Sequence, residues 1–112
     1  MEMMEQQLDD LVGKIKVFKT VIGEEIIGKV AAVNTRSQSI TVEDPLNIAF
    51  DQRAGSLVFV PFMPYTSGKQ MIVLFVHGII CEPLDPDAAI EEKYKSVTSR
   101  IVTPASGKLI VP

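Results

Sequence analysis

Apolar residues fall first at helical spacing. Met4, Leu8, Leu11 and Val12 share one face of a short amphipathic segment, Glu2, Glu5, Asp9 and Asp10 lie elsewhere on it, and Gly13 supplies a C-terminal stop. A helix this short is marginal alone and must dock on something. From Lys14 the period changes to two. Ile15, Val17 and Val21 take one face of a strand, and Lys14, Lys16, Phe18 and Thr20 take the other. Ile22-Gly23-Glu24 reads as a tight turn, because glycine accepts the positive φ that a hairpin needs.

The chain returns as EEIIGKVAAV, with Gly28 inside the strand as the mark of a bend or a close backbone approach. NTRSQ is the next turn. SITVEDP is a third strand closed by Pro45, and LNIAFDQRAG leads on through a glycine-containing turn. SLVFVPFMPY is a fourth strand, pushed towards an edge or a bulge by Pro61 and Pro64. After the turn TSGKQ comes a fifth apolar run, MIVLFVHGIICEPL, with Gly78 as a further bend. Asp85 reads as a helix cap with Pro86 at the first helical position. Ile90, Tyr94, Val97 and Ile101 form the apolar stripe of that second helix, and a short apolar segment, Leu109 to Val111, follows in the tail.

Five short antiparallel strands with bending glycines predict a mainly β fold. Closing so few strands demands high curvature, so the expectation is a strongly bent barrel of the SH3 or OB kind. Length agrees: 112 residues make one domain. Residues 1–84 would form the barrel with its N-terminal helix, and residues 85–112 a second helix and tail packed on the same domain.

Composition adds a hint of association. The apolar share is 46 % and the mean hydropathy +0.23, high for a small monomer. A single cysteine allows no disulfide within the chain and suits a reducing compartment. The acidic N-terminal segment lacks the basic start of a signal peptide, and no run approaches the roughly 20 apolar residues of a membrane span. The expectation is a cytoplasmic protein that needs no membrane. The net charge of −3 argues against general DNA binding, yet residues 13–81 carry seven basic and five acidic side chains while the ends are acidic. Local sign matters more than the total for a polyanion.

The stretch around Gly23, Gly28, Val30, Val33, the loop Asn34 to Gln38, and Asp44 resembles the first motif of the Sm and Sm-like RNA-binding proteins. Val76-His77-Gly78-Ile79-Ile80 is similar to the second motif of that family. The wording KTVIGEEIIGKV with FVPFMP is closest in character to Sm-like proteins of bacterial viruses, cyanophages in particular. The resemblance covers about residues 1–84 and implies an Sm-like (SH3-type) five-stranded barrel, here with an added C-terminal helix. It also implies a homo-oligomeric ring of about five to seven subunits, the lower end favoured because the extra helix takes space. RNA or single-stranded nucleic acid would bind at the pore rim. If the chain is phage-encoded, its place is the host cytoplasm.

The resemblance puts the site on Asn34, Arg36, Ser37, Gln38, His77 and Gly78. Where the family has an Asp, a bulky stacking residue and an Asn, this chain has Asn34, Ser37 and Gln38. Gln38 can present an amide to a base edge. Ser37 cannot stack, but the guanidinium plane of Arg36 can. The family's second-motif arginine is replaced by His77, which can stack and hydrogen-bond.

Other chemistry is thin. Glu24 and Glu25 are adjacent, so in a strand they point to opposite faces, unlike a catalytic pair. His77 and Cys81 would share a face of an alternating strand, but two ligands are too few for zinc and Cys81 sits in an apolar run. No phosphate-binding glycine loop, nucleotide fingerprint or metal motif is present. The sequence therefore predicts neither enzyme activity nor a cofactor. Two functions remain: a nucleic-acid-binding ring with a role in RNA or DNA processing or regulation, and a phage structural or assembly component that uses the barrel only for protein contacts.

Overall fold

The computed structural model describes residues 5–102, with side chains placed for residues 5–99. The order of elements is α1 (Glu5–Asp9), β1 (Ile15–Lys19), β2 (Glu25–Asn34), β3 (Ser39–Asp51), β4 (Ser56–Pro61), β5 (Met71–Phe75), a 3-10 turn (Val76–Gly78) and α2 (Ala88–Val102). All five strands belong to one antiparallel sheet, ordered β1-β2-β3-β4 with β5 also on β3. The chain is thus mainly β, with a helix before the sheet and another after it.

β3 organises the sheet. Along one edge it pairs with β2 from Asn34↔Ser39 to Ile26↔Asn47. Its other edge is shared: Ser39 to Glu43 pair with β5, and Leu46 to Asp51 pair with β4. The change of partner falls at Asp44-Pro45. Pro45 therefore does not end the third strand, and LNIAFD is strand, not loop. A proline has no N–H to give a ladder, and the junction between two partners is where none is needed. Asp44 there adopts φ 52°, uncommon for a non-glycine residue.

Gly28 lies across from this kink. A Cβ at Gly28 would run into Cγ1 of Val42 and come within 3.3 Å of the Glu43 carbonyl oxygen. The register of β2 on β3 shifts between Ile27 and Lys29 at the same level. The mid-strand glycine is thus a close-approach glycine, and the turn glycine Gly23 has the expected positive φ, 95°.

The two faces of the sheet bury separate cores. Phe18, Val30, Ile40, Val42, Val76 and Ile79 are buried on one side, closed by Leu8 and Leu11 from the α1 segment. Val12, expected on the docking face, is exposed, and Met4 lies outside the described residues. On the other side Ile27, Leu46 and Tyr94 form a second cluster with Ile15, Val17, Ile48, Phe59, Ile90 and Val97. α2 covers this second face with the predicted stripe; the Ile101 side chain is outside the described set.

α2 begins two residues later than the sequence suggests. The amide of Glu91 donates to the Asp87 carbonyl (2.9 Å), and the first helical residue is Ala88. Asp85 is not the cap because its carboxylate binds Lys16 Nζ at 2.7 Å, which ties the approach to α2 onto β1.

β1 and β5 share no ladder, so the sheet is not closed. After the 3-10 turn the chain passes beside β1 and makes two isolated bridges, Thr20↔Ile79 and Val17↔Leu84. The hydrogen bonds there run from Ile80 N to Lys19 O (3.0 Å), Val17 N to Leu84 O (2.8 Å) and Leu84 N to Val17 O (3.0 Å).

Candidate functional site

The β2–β3 loop and the 3-10 turn meet at one end of the sheet. Ser39 pairs with Phe75, and the Val76 amide donates to the Gln38 carbonyl at 2.8 Å. This bond fixes the end of the loop against the start of the turn that carries His77 and Gly78. The sequence-predicted residues therefore sit together, although 38 residues of chain separate Gln38 from His77 by numbering.

Within the loop the polar side chains work on their own backbone. Asn34 Oδ1 accepts from the Ser37 amide (3.0 Å), and Gln38 Nε2 donates to the Thr35 carbonyl (3.0 Å). The hydroxyls of Ser37 and Ser39 lie 2.8 Å apart in a hydrogen bond. Gln38 takes φ 55°, a left-handed conformation held by these contacts. Arg36 projects from the exposed part of the loop.

On the facing side, His77 is exposed and its ring stacks on Phe75, with centroids 5.7 Å apart and planes 26° from parallel. Phe75 is itself 46 % exposed. The sequence reading missed it. The usable signal was the alternation of MIVLF, which turns Met71, Val73 and Phe75 outward while Ile72 and Leu74 pack on the core. Gly78 ends the 3-10 turn, and a Cβ there would meet nothing within 4 Å. Its carbonyl accepts from the Val21 amide (3.0 Å), so it serves the turn through its backbone.

The other singled-out groups make local contacts. Glu24 and Thr20 close the β1–β2 hairpin, with the Glu24 amide donating to Thr20 Oγ1 (3.1 Å) and that hydroxyl donating to Glu24 Oε1 (3.3 Å). Glu25 lies across from Lys19 with an N–O separation of 3.8 Å. His77 belongs to a 3-10 turn, so the strand alternation that would align it with Cys81 is broken. Among the described residues no three His, Cys, Asp or Glu side chains cluster to hold a metal ion, and no helix is long and apolar enough to cross a membrane.

A larger cleft, about 760 Å³, opens between α2 and the sheet, with Lys14, Lys29, Lys69 and Lys95 around Tyr94 and Asp44. Its charge is balanced: Lys69 lies 4.0 Å from Glu43, and Lys95 3.2 Å from Glu91. The Tyr94 hydroxyl shares its one proton between the carbonyls of Glu43 (3.2 Å) and Asp44 (3.0 Å), which clamps the β3 kink to α2. Burial, with the Asp44 charge behind it, pushes the Tyr94 phenol far above its ordinary range, so it stays a donor. Burial likewise raises the Asp44 carboxyl, partly offset by Lys69. These features hold the fold.

No family model matches this chain, and comparison with curated proteins gives no match either.

Proposed function

We propose that the chain is an Sm-like, ring-forming protein that binds RNA or single-stranded DNA at the rim made by residues 34–38 and 77–78. The observation that carries this reading is the bond between Val76 N and Gln38 O, which sets an exposed stacked pair, Phe75 and His77, beside the loop that bears Arg36. Stacking on exposed rings and guanidinium planes is how single strands are held without a duplex groove. Asn34, Ser37 and Gln38 shape the loop in this reading, so sequence preference is modest.

Ring formation has its own support. β5 pairs only with β3 among the described strands, and its outward residues Met71 and Val73 are exposed. The segment after the 3-10 turn touches β1 on one side and exposes Ile80 and Leu84. Joining β5 of one copy to residues 79–84 of the next covers both sets and closes the barrel's open edges head to tail.

The second reading, an assembly component that makes protein contacts only, is favoured by the inward use of the Asn34 and Gln38 side chains and by the net charge of −3. Fluorescence anisotropy with oligo-U, oligo-A and single-stranded DNA at two salt concentrations decides between them. His77→Ala and Arg36→Ala should each weaken binding about tenfold, since about 1.4 kcal/mol of lost stacking is one decade. Added salt should weaken it further. Variants that keep the parent's assembly state and its affinity would leave the assembly reading in place.

A further inference from the structure

The β4–β5 connection is unusually well braced for a surface loop. Gln70 grips Met63 with both ends of its amide: the Met63 amide donates to Oε1 (3.0 Å), and Nε2 donates to the Met63 carbonyl (2.7 Å). The Thr66 hydroxyl donates to the same carbonyl (2.9 Å) and accepts from Gln70 Nε2 (3.1 Å). The base of the loop is tied to the kink of β3, through Asp44 N to Gln70 O (3.0 Å) and Phe62 N to Pro45 O (3.3 Å). Pro64 fixes its own φ at the apex. On this frame stands Tyr65, 99 % exposed.

A tyrosine carried in water on a stiff turn has already lost the backbone freedom that binding would otherwise cost, which suits an interface anchor. Beside the same loop lies a socket of about 170 Å³, lined by Pro45, Leu46, Pro61 and Met63 and also by Asp44 and Lys69. A cavity of about 150 Å³ is enough to take benzene, so the socket has the volume for a phenol ring. Its chemistry fits one: apolar walls for the ring, and a carboxylate and an ammonium for the hydroxyl, which seeks a partner when buried. Tyr65 does not line its own socket. A knob beside its matching socket on one surface is the arrangement that a two-fold axis pairs with itself.

We propose that two copies of this chain associate through reciprocal insertion of Tyr65 into the socket beneath the partner's 61–70 loop. The contact is independent of nucleic-acid binding and of the strand edges that would build a ring. Charge favours it: each socket carries both signs, so the faces meet without like-charge opposition. Each tyrosine buries about 150–250 Å². Even with Pro61, Pro64 and Met63 added, the total falls towards the low end of specific interfaces, so the contact dissociates on dilution.

Sedimentation equilibrium across a dilution series tests it. Tyr65→Ala should halve the mass of the parent species, from dimer to monomer, or from paired rings to single rings. Met63→Asp, which places a charge on the socket wall at a half-exposed position, should do the same. A second readout comes from tyrosine emission, because the chain has two tyrosines and no tryptophan. Acrylamide quenching of the parent should rise on dilution as Tyr65 is uncovered, and that rise should vanish in Tyr65→Phe, which leaves only Tyr94. An unchanged mass in Tyr65→Ala, a fall by more than twofold, or dilution-independent quenching in the parent overturns the proposal.

Discussion

Gly28→Ala tests the bend of β3 with an answer carried by its sign. In an ordinary strand interior, replacing glycine by alanine stabilises by about 0.4–1 kcal/mol, because the unfolded chain loses freedom. Gly28 has no positive φ to forbid alanine. What opposes the change is space. The new methyl would collide with Cγ1 of Val42 and press within 3.3 Å of the Glu43 carbonyl and 3.5 Å of Pro45 Cα. Val42 cannot swing aside: it is β-branched, fully buried, and packed among Phe18, Ile40 and Val76. Overpacking of this kind costs about 1–3 kcal/mol, so the net expectation is a loss of roughly 1–2 kcal/mol once the backbone gain is subtracted.

Val42→Ala supplies the control. Alone it leaves a cavity and costs about 2 kcal/mol. In the Gly28→Ala background it removes the atom that the methyl strikes, so the double variant should lose less than the two singles together, with a coupling on the order of 1 kcal/mol. Urea unfolding followed by circular dichroism, at one fixed protein concentration because association shifts the midpoint, reads all three values. A Gly28→Ala protein as stable as the parent, or more so, would mean that β2 does not approach the kink, and the account of Gly28 would fail.

Three further outcomes follow from the same region. Tyr94→Phe should cost about 1–2 kcal/mol in the same assay, because the carbonyls of Glu43 and Asp44 lose a half-buried donor while the ring still fills its place. Asp44→Asn should stabilise at neutral pH: burial raises the folded carboxyl pKa, so the charged form is a penalty that is full above that value and disappears as pH falls below the unfolded value of 3.8. Asp85→Asn should show the opposite profile. Its hydrogen bond and charge pairing with Lys16 lower the folded pKa, so the variant's deficit is present above the ordinary carboxylate value and closes as pH falls through the depressed one; unfolding midpoints measured between pH 2 and 7 check both signs.

The legible parts of the fold are those fixed by neighbours in sequence. The β1–β2 hairpin follows from Gly23, the α2 stripe from the spacing of Ile90, Tyr94 and Val97, and the 35–38 turn from its run of polar residues. The illegible parts depend on groups far along the chain. Pro45 looks like a strand terminator until one knows that β3 exchanges β5 for β4 at that residue. Asp85 has every local mark of a helix cap, yet Lys16, 69 residues away, takes its carboxylate and leaves Asp87 to begin the helix. Proline and aspartate carry the same local preferences in each alternative, so only the long-range partner decides.

The candidate site divides along the same line. That the 34–38 loop and His77 lie together could be inferred only from a family likeness, since no periodicity relates two segments so distant. What each side chain does there was less accessible. An amide in a polar loop has the right groups for a base edge, but Asn34 and Gln38 also have carbonyls and amides of their own backbone within reach, and these are always present while a ligand is not. In the proposed function, recognition at this end of the sheet would therefore fall to the groups that the loop does not consume: the faces of Phe75 and His77 and the exposed Arg36. Such a surface favours stacking over base-edge readout, so a ligand held here would be selected for being single-stranded more than for its sequence.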